Sequence, residues 1–322
     1  MTDKVTLVRK WADTNTDAIL EPKTEIFSVP SLEGFIGYRI EGKNAIVYGD
    51  PVCTPSAKGT LASLFQEYCA KQGLGVVYTI VTEPFALWGA KELNGSSIEF
   101  GKRFILDPLN HSFHQTGTKA SLARRKMRHA LKEGAAALEY TGNDQALEKM
   151  MEQAATDWKK ARRGLQVHFS NFHLFEYRLG KRWFYAKFKD KIVGILVLNE
   201  LQAHAGWLLN HVIMTKEAPA GTTELLVITA LQTLEKENCR YVLAGPIPAS
   251  HLGNMEGLNL FSKLFVKTVY KSAKILLNLD RHQSFWEKFQ PKEEPSYLLF
   301  PRKNLNYSSI YSLLKAYNAD LA

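Results

Sequence analysis

The sequence predicts an α/β (α+β) protein built from two copies of one unit, and three observations carry that expectation. Two stretches about half the chain length apart read alike: NAIVYGDPVCTPSAKGTLASLFQEYCAKQGLGVVYTIV at 44–81 and LLNHVIMTKEAPAGTTELLVITALQTLEKENCRYVLAGPI at 208–247. Each is an apolar strand, a Pro-containing loop ending in Gly-Thr, an amphipathic helix and a second apolar strand, with Gly59-Thr60 aligned on Gly221-Thr222. A chain of 322 residues is also long enough for two domains, each with its own core.

Along the chain, residues 1–30 read as a short helix and a loop. FIGYRIEGKNAIVYGDP alternates as a hairpin turning at Gly42-Lys43-Asn44. Thr60–Gln72 places Leu61, Leu64, Phe65 and Tyr68 on one helical face, and Gly73 supplies the stop. VVYTIV is a buried strand, Glu83–Leu93 a helix, and Ser97–Leu106 a strand with a Gly-Lys turn inside it. A basic helix then spans 117–134, with Thr116 or Thr118 as its cap and Gly134 at its end. Asp144–Arg162 is helical and runs into a second basic cluster, KKARRG. Trp183–Phe188 and Lys191–Glu200 form a hairpin around Lys189-Asp190, and Ala205–Met214 leads into the second copy of the unit. Val266–Leu279 reads as mixed strand and turn. The tail from 308 aligns Ile310, Leu313, Leu314 and Tyr317 on one face, which is suited to packing on the body, the expected role, or to lying on a membrane surface. The expected division is an N-terminal domain over 1–140, containing the basic helix, and a C-terminal catalytic domain over 141–322.

Hydrophobic residues make up 45% of the chain and charged ones 23%, the composition of a soluble globular protein. No run reaches the roughly 18 apolar residues of a membrane span. The first residues carry acids and no apolar segment, so no secretory leader is expected, and a cytoplasmic location follows. Cys53, Cys69 and Cys239 are scattered, as free thiols of a reducing compartment are. The net charge of +9 favours polyanions such as nucleic acid or an anionic membrane surface. That charge concentrates in the basic helix, where Lys119, Arg124, Arg125, Lys126, Arg128, His129 and Lys132 face only Glu133. Like charges this dense repel one another, and an anionic partner relieves the cost.

The common catalytic signatures are missing: GxSxG, a Walker loop, GxGxxG and HExxH do not occur. His111, His114 and His129 lack metal spacing and carboxylate company, so neither a metal nor a cofactor is expected. What remains is the logic of acyl transfer, in which a splayed strand and the following helix start accept an acyl donor, as in acetyltransferase-like proteins. The unit formed by Leu208–Met214, Ala218–Thr223, Glu224–Glu235 and Tyr241–Gly245 fits that layout. Its loop lacks the repeated glycines of acyl-CoA users, which disfavours coenzyme A as donor.

Several pieces taken together extend the likeness to one family. VYGDP, FGKRFILDP (100–108), GTKASLARRKMRHALKEG (117–134), TDW (156–158), APAGTTELL (218–226), LAGPIP (243–248) and FWEKFQP (285–291) occur in an order that resembles the C-terminal catalytic domain of lysylphosphatidylglycerol synthases, the multiple peptide resistance factor family. The resemblance runs from about Ser31 to Arg302. It implies tandem acetyltransferase-like (GNAT) domains, with mixed sheets flanked by helices. It also implies transfer of an aminoacyl group from aminoacyl-tRNA to a phosphatidylglycerol-like headgroup at the inner face of the cytoplasmic membrane. By this resemblance Glu224 and Lys288 are the catalytic residues. Gly221, Thr222, Thr223 and His211 line the donor loop and strand, and Lys119, Arg124, Arg125 and Arg128 bind phosphate. Asn210-His211 departs from the family, which carries Arg in that strand. The chain also lacks the multispanning region of lipid-flipping synthases, so any flipping would fall to a membrane-protein partner. Two other readings stand beside this one: an acyl-CoA-dependent N-acyltransferase acting on a soluble amine, and a non-catalytic RNA- or membrane-binding module.

Overall fold

The computed structural model describes residues 3–14, 17–161, 174–249, 251–277, 280–303 and 305–316. Its first half runs α1 (Lys4–Trp11), β1 (Glu25–Phe27), β2 (Gly34–Glu41), β3 (Asn44–Tyr48), β4 (Val52–Cys53), α2 (Lys58–Lys71), β5 (Gly75–Val81), α3 (Glu83–Glu92), β6 (Ser96–Leu106) and α4 (Gly117–Lys132). It continues with β7 (Ala136–Tyr140), α5 (Gln145–Ala161), β8 (Lys181–Phe188), β9 (Lys191–Leu201), β10 (Gly206–Met214), α6 (Thr222–Lys236) and β11 (Val242–Pro248). Last come β12 (Met255–Glu256), α7 (Leu260–Leu277), α8 (Asp280–Trp286), β13 (Lys292–Phe300) and α9 (Tyr307–Ala316).

The strands form one mixed sheet flanked by helices, in the order β1-β2-β3-β5-β13-β6-β11-β10-β9-β8-β7. Both repeated stretches build the same unit. A parallel pair, β3 with β5 or β10 with β11, is joined by a helix, α2 or α6. The two halves then exchange their last strands. β13 lies against β5, and β6 lies against β11. Each core therefore takes side chains from both halves. Tyr297 and Leu299 join Val47, Leu61, Phe65 and Tyr78 under the first unit, while Phe104 and Leu106 join Leu226, Leu231 and Val242 under the second. Burying a side chain of this size contributes about 1.5–3 kcal/mol, so neither core is complete without the other half's strand.

Three local expectations need correction. β6 runs straight through Gly101-Lys102 without a turn. Gly101 serves close approach instead: a Cβ there would stand 2.6 Å from the Ile247 carbonyl oxygen. Residues 260–277 form the helix α7, although Val266, Thr268 and Val269 suggest a strand. The Asn259 side chain accepts from the Ser262 N–H, the Thr268 hydroxyl bonds back to the Leu264 carbonyl, and Val266 is anchored in the core. β7 has no counterpart in the sequence reading; its outward side chains give it little apolar signal. Of the second basic cluster, Lys159 and Lys160 end α5, while Arg162 and Arg163 lie outside the described residues, as does Tyr317 of the tail. The tail helix packs through Leu313 and Ala316, and the Tyr48 hydroxyl donates to the Ala316 carbonyl.

Two acids near the N-terminus, Asp17 buried and Asp13 half-buried, tie it to both halves. Asp17 accepts from Arg9 at 2.9 Å, Lys181 at 2.7 Å and Asn199 at 3.0 Å. Asp13 meets Arg103 at 2.5 Å and His204 at 3.3 Å. Burial alone would raise the Asp13 pKa, but the hydrogen bond from His204 and the charge of Arg103 outweigh it and hold the carboxyl at about 2. A depressed carboxyl stabilises the fold above its unfolded pKa and loses that contribution as pH falls through the folded one. Urea unfolding should therefore show about 2 kcal/mol of Asp13-dependent stability vanishing between pH 4 and pH 2. Asp13→Asn should flatten that limb, and an unchanged acid limb would contradict the assignment.

Candidate active site

The two units differ where a substrate would enter. β3 and β5 stay paired from Asn44↔Gly75 to Tyr48↔Thr79, which closes the first unit. β10 and β11 pair only at Trp207↔Val242 and Leu208↔Leu243 and then diverge. The sequence dictates the divergence on both sides. β10 bulges between Leu209 and His211, leaving Asn210 as the extra residue. β11 carries Gly245 at φ +92° and then Pro246, which has no N–H to donate. Among the described residues, strand backbone is thus left unpaired where β10 and β11 part, and β3 and β5 show no such parting.

α6 begins where β10 and β11 part. Gly221 holds φ +95° before the first turn, and no side chain caps the helix; the Thr222 N–H is taken by the Pro219 carbonyl at 3.2 Å, so among the described residues it is the N–H groups of Thr223 and Glu224 that are left for a ligand. A Cβ on Gly221 would lie 2.0 Å from the Lys126 carbonyl oxygen of α4, so the glycine is what lets the basic helix pack against α6. Thr222 is buried and donates its hydroxyl to the Pro219 carbonyl at 2.7 Å, which closes the loop on itself. Thr223 stays half-buried beside it. Glu224 is 5% exposed in the first turn of α6.

The partner of Glu224 comes from 64 residues away: Lys288 donates to its carboxylate. Lys288 sits on a single turn, Glu287–Phe289, anchored by buried Trp286 and Phe289, with its ammonium 4.2 Å from the centre of the Phe285 ring. The same turn is bonded to the start of α4. Lys119 pairs with Glu287 at 2.9 Å, Gln115 donates to the Phe289 carbonyl and Gln290 donates to the Thr116 carbonyl. Beside these bonds lies a cleft of about 430 Å³ lined by Thr116, Gly117, Lys119, Glu287, Gln290 and Glu293. The structure therefore brings Gly221, Thr222, Thr223, Glu224, Lys288 and the start of the basic helix together.

The first unit differs at the equivalent place. Ala62 stands where Glu224 stands in the second, and Asp50 accepts from Lys58 at 2.7 Å and from the N–H and hydroxyl of Thr82. Asp50 is thus committed to its own turn.

The cations of α4 divide. Arg124 turns inward to the carbonyls of Ser112 and Gln115 and braces the loop before the helix. Arg125, Lys126, Arg128 and Lys132 are exposed and, among the described residues, make no ion pair. His211 lies half-buried on β10, paired with Val197 of β9.

Two features escaped the sequence reading. Both amide atoms of Asn210 are buried without a partner among the described residues, at the bulge where the strands part. Asn210 is visible in the sequence, but only the register of β10 shows that it is the extra residue. The other feature is a carboxylate beside the histidines, contrary to the expectation that they lacked one. Glu235 of α6 meets His111 at 2.9 Å and His114 at 2.6 Å, and the three offer ligand atoms within 4.8 Å of one another. The Phe113 N–H donates to His111 Nδ1, so Nε2 carries the ring hydrogen and directs it at Glu235. The histidine hydrogen bonds hold Glu235 below the usual carboxylate range. In this arrangement the three residues clamp the loop before α4 to the far end of α6.

A family model described as phosphatidylglycerol lysyltransferase, C-terminal, matches residues 12–300. The fold is similar to that of L-PGS from Bacillus licheniformis, at 16% identity and TM-score 0.79, covering 99% of this chain and 96% of that one. It is also similar to a crystal structure described as the C-terminal domain of a lysylphosphatidylglycerol synthetase from Agrobacterium fabrum, at 17% identity and TM-score 0.76, covering 97% and 94%. FemX shares the fold more distantly, at 9% identity and TM-score 0.56, covering 97% of both chains. No curated protein sequence matches the chain.

Proposed function

The chain belongs to the phosphatidylglycerol lysyltransferase C-terminal family, a family of transferases, and from that premise we propose that it moves an aminoacyl group from aminoacyl-tRNA to the headgroup hydroxyl of a phosphatidylglycerol-like lipid. One observation carries the reading: buried Glu224, paired with half-buried Lys288, stands at the helix start of the open unit, while the closed unit has Ala62 there.

The chemistry follows from those groups. The Glu224 carboxylate takes the proton of the acceptor hydroxyl as its oxygen attacks the ester carbonyl carbon. Negative charge grows on the carbonyl oxygen, and Lys288, the strand N–H groups where β10 and β11 part, and the N–H groups of Thr223 and Glu224 supply the donors for it. Collapse breaks the bond to the ribose oxygen, which recovers the proton from Glu224. One ester forms, one breaks, and the tRNA leaves with a free ribose hydroxyl. The unpartnered amide of Asn210 suits the donor's aminoacyl carbonyl or ammonium.

The basic helix fits the donor's phosphates, since each arginine fork can bond two phosphate oxygens. Arg125→Glu with Arg128→Glu is expected to weaken tRNA binding at low salt and to reduce the slope of log K against log salt by about 2. A wild-type slope would remove α4 from donor binding. The function itself is tested by incubating the protein with labelled aminoacyl-tRNAs, lysyl-tRNA first, and phosphatidylglycerol vesicles. Label in the extracted lipid is the expected result. Label that stays with tRNA or water for every donor, or that enters an acceptor from acyl-CoA instead, would overturn it.

A further inference from the structure

α7 carries an outward face that the fold leaves uncovered. Leu260 is 81% exposed, Phe261 83%, Leu264 65% and Phe265 37%. Large apolar groups so exposed, side by side on two successive turns, are unlike the scattered apolar surface of ordinary proteins. Further along the same outward side the residues become basic: Lys267 and Lys271 are exposed, and α7 contains no acid among its 18 residues. The inward side is fixed, because Val266 lies in a core shared with Leu313 and Ala316 of α9 and the Tyr270 hydroxyl donates to the carbonyls of Phe100 and Ala249. The exposed groups cannot rotate into the body.

We propose that this face of α7 is a docking surface for an anionic phospholipid bilayer, entered by Leu260, Phe261 and Leu264 and held at the headgroups by Lys267 and Lys271. The pattern of an apolar tip followed by a lysine stripe matches the two layers that an interfacial helix meets: acyl chains and anionic headgroups. Among the described residues no helix is long and apolar enough to cross a membrane, so the contact is one of lying on the surface. The inference rests on the reading above and deepens it by naming the surface through which the lipid acceptor is reached. The chain passes from β11, which borders the open unit, through α7 and α8 to Lys288. The helix on the bilayer is therefore strung between two parts of the candidate active site.

The test is flotation of the full chain with phosphatidylcholine vesicles, with and without phosphatidylglycerol. The wild type should bind the mixed vesicles at least about tenfold more tightly than phosphatidylcholine alone. Phe261→Glu with Leu264→Glu should cut binding to both by at least about tenfold. Lys267→Gln and Lys271→Gln should each reduce only the phosphatidylglycerol-dependent part, by about fivefold. Because all four side chains point outward, thermal unfolding should stay at the wild-type midpoint. Transfer to a soluble short-chain phosphatidylglycerol should also be unchanged in the Phe261/Leu264 variant, whereas transfer to vesicles should fall. Wild-type vesicle binding by that variant overturns the proposal. So does a wild type that sediments as a dimer when the variant is a monomer with unchanged vesicle binding, since the face would then join two copies of the chain. Vesicle binding that follows the pattern above without aminoacyl transfer to any acceptor would sustain the docking surface and refute the proposed reaction. Transfer to the soluble lipid without vesicle binding would do the reverse.

Discussion

Glu224→Gln is expected to slow aminoacyl transfer by about 10²–10⁴-fold, the usual contribution of a positioned general base. Glutamine keeps the shape of the side chain and still offers Lys288 an acceptor oxygen, but its amide cannot take up the acceptor proton. The loss should fall on kcat, with the KM for aminoacyl-tRNA unchanged, because the group acts on the transition state and not on donor binding. The fold should survive, which thermal unfolding checks. Lys288→Met provides the contrast. It leaves the Glu224 carboxylate, 5% exposed, without its cation, and such a break costs on the order of 3 kcal/mol of stability. A Glu224→Gln enzyme within fivefold of wild type would remove Glu224 from the chemistry.

Gly221→Ala should cost about 2–5 kcal/mol and loosen the basic helix from α6. Two penalties add: a non-glycine residue at φ +95°, and a Cβ placed 2.0 Å from the Lys126 carbonyl oxygen. Gly134 separates them. It holds φ +98° at the end of α4 with nothing within 4 Å of a Cβ, so Gly134→Ala should cost only about 1–2 kcal/mol. Urea unfolding of both variants measures the difference, which is the steric part. Equal costs would mean that the contact between Gly221 and α4 contributes nothing.

Much of this arrangement is local and can be read in the chain. The paired units around Gly59-Thr60 and Gly221-Thr222 are strand–loop–helix–strand patterns, legible because period and punctuation agree over short spans. Glu224 and Lys288 are legible one at a time through the family resemblance. Their contact is not, because it spans 64 residues and depends on where α8 sets down the Lys288 turn. The exchange of β6 and β13 is likewise a non-local pairing with no sequence mark. Arg124 reads as one more surface cation until the carbonyls of Ser112 and Gln115 are found beneath it. α7 was misread because β-branched residues favour strands intrinsically, and tertiary packing of Val266 with a cap at Asn259 overrides that preference. The Glu235 clamp joins residues more than 120 positions apart, beyond the reach of any spacing rule.

The central claim is that transfer occurs at the open second unit through Glu224. Its most direct test is the initial rate at which labelled lysine passes from lysyl-tRNA into extractable lipid, measured for wild type and Glu224→Gln side by side at saturating donor. The expected result is lipid label with the wild type and at least about a hundredfold slower labelling with the variant at equal tRNA affinity. Equal rates from the two proteins would contradict it.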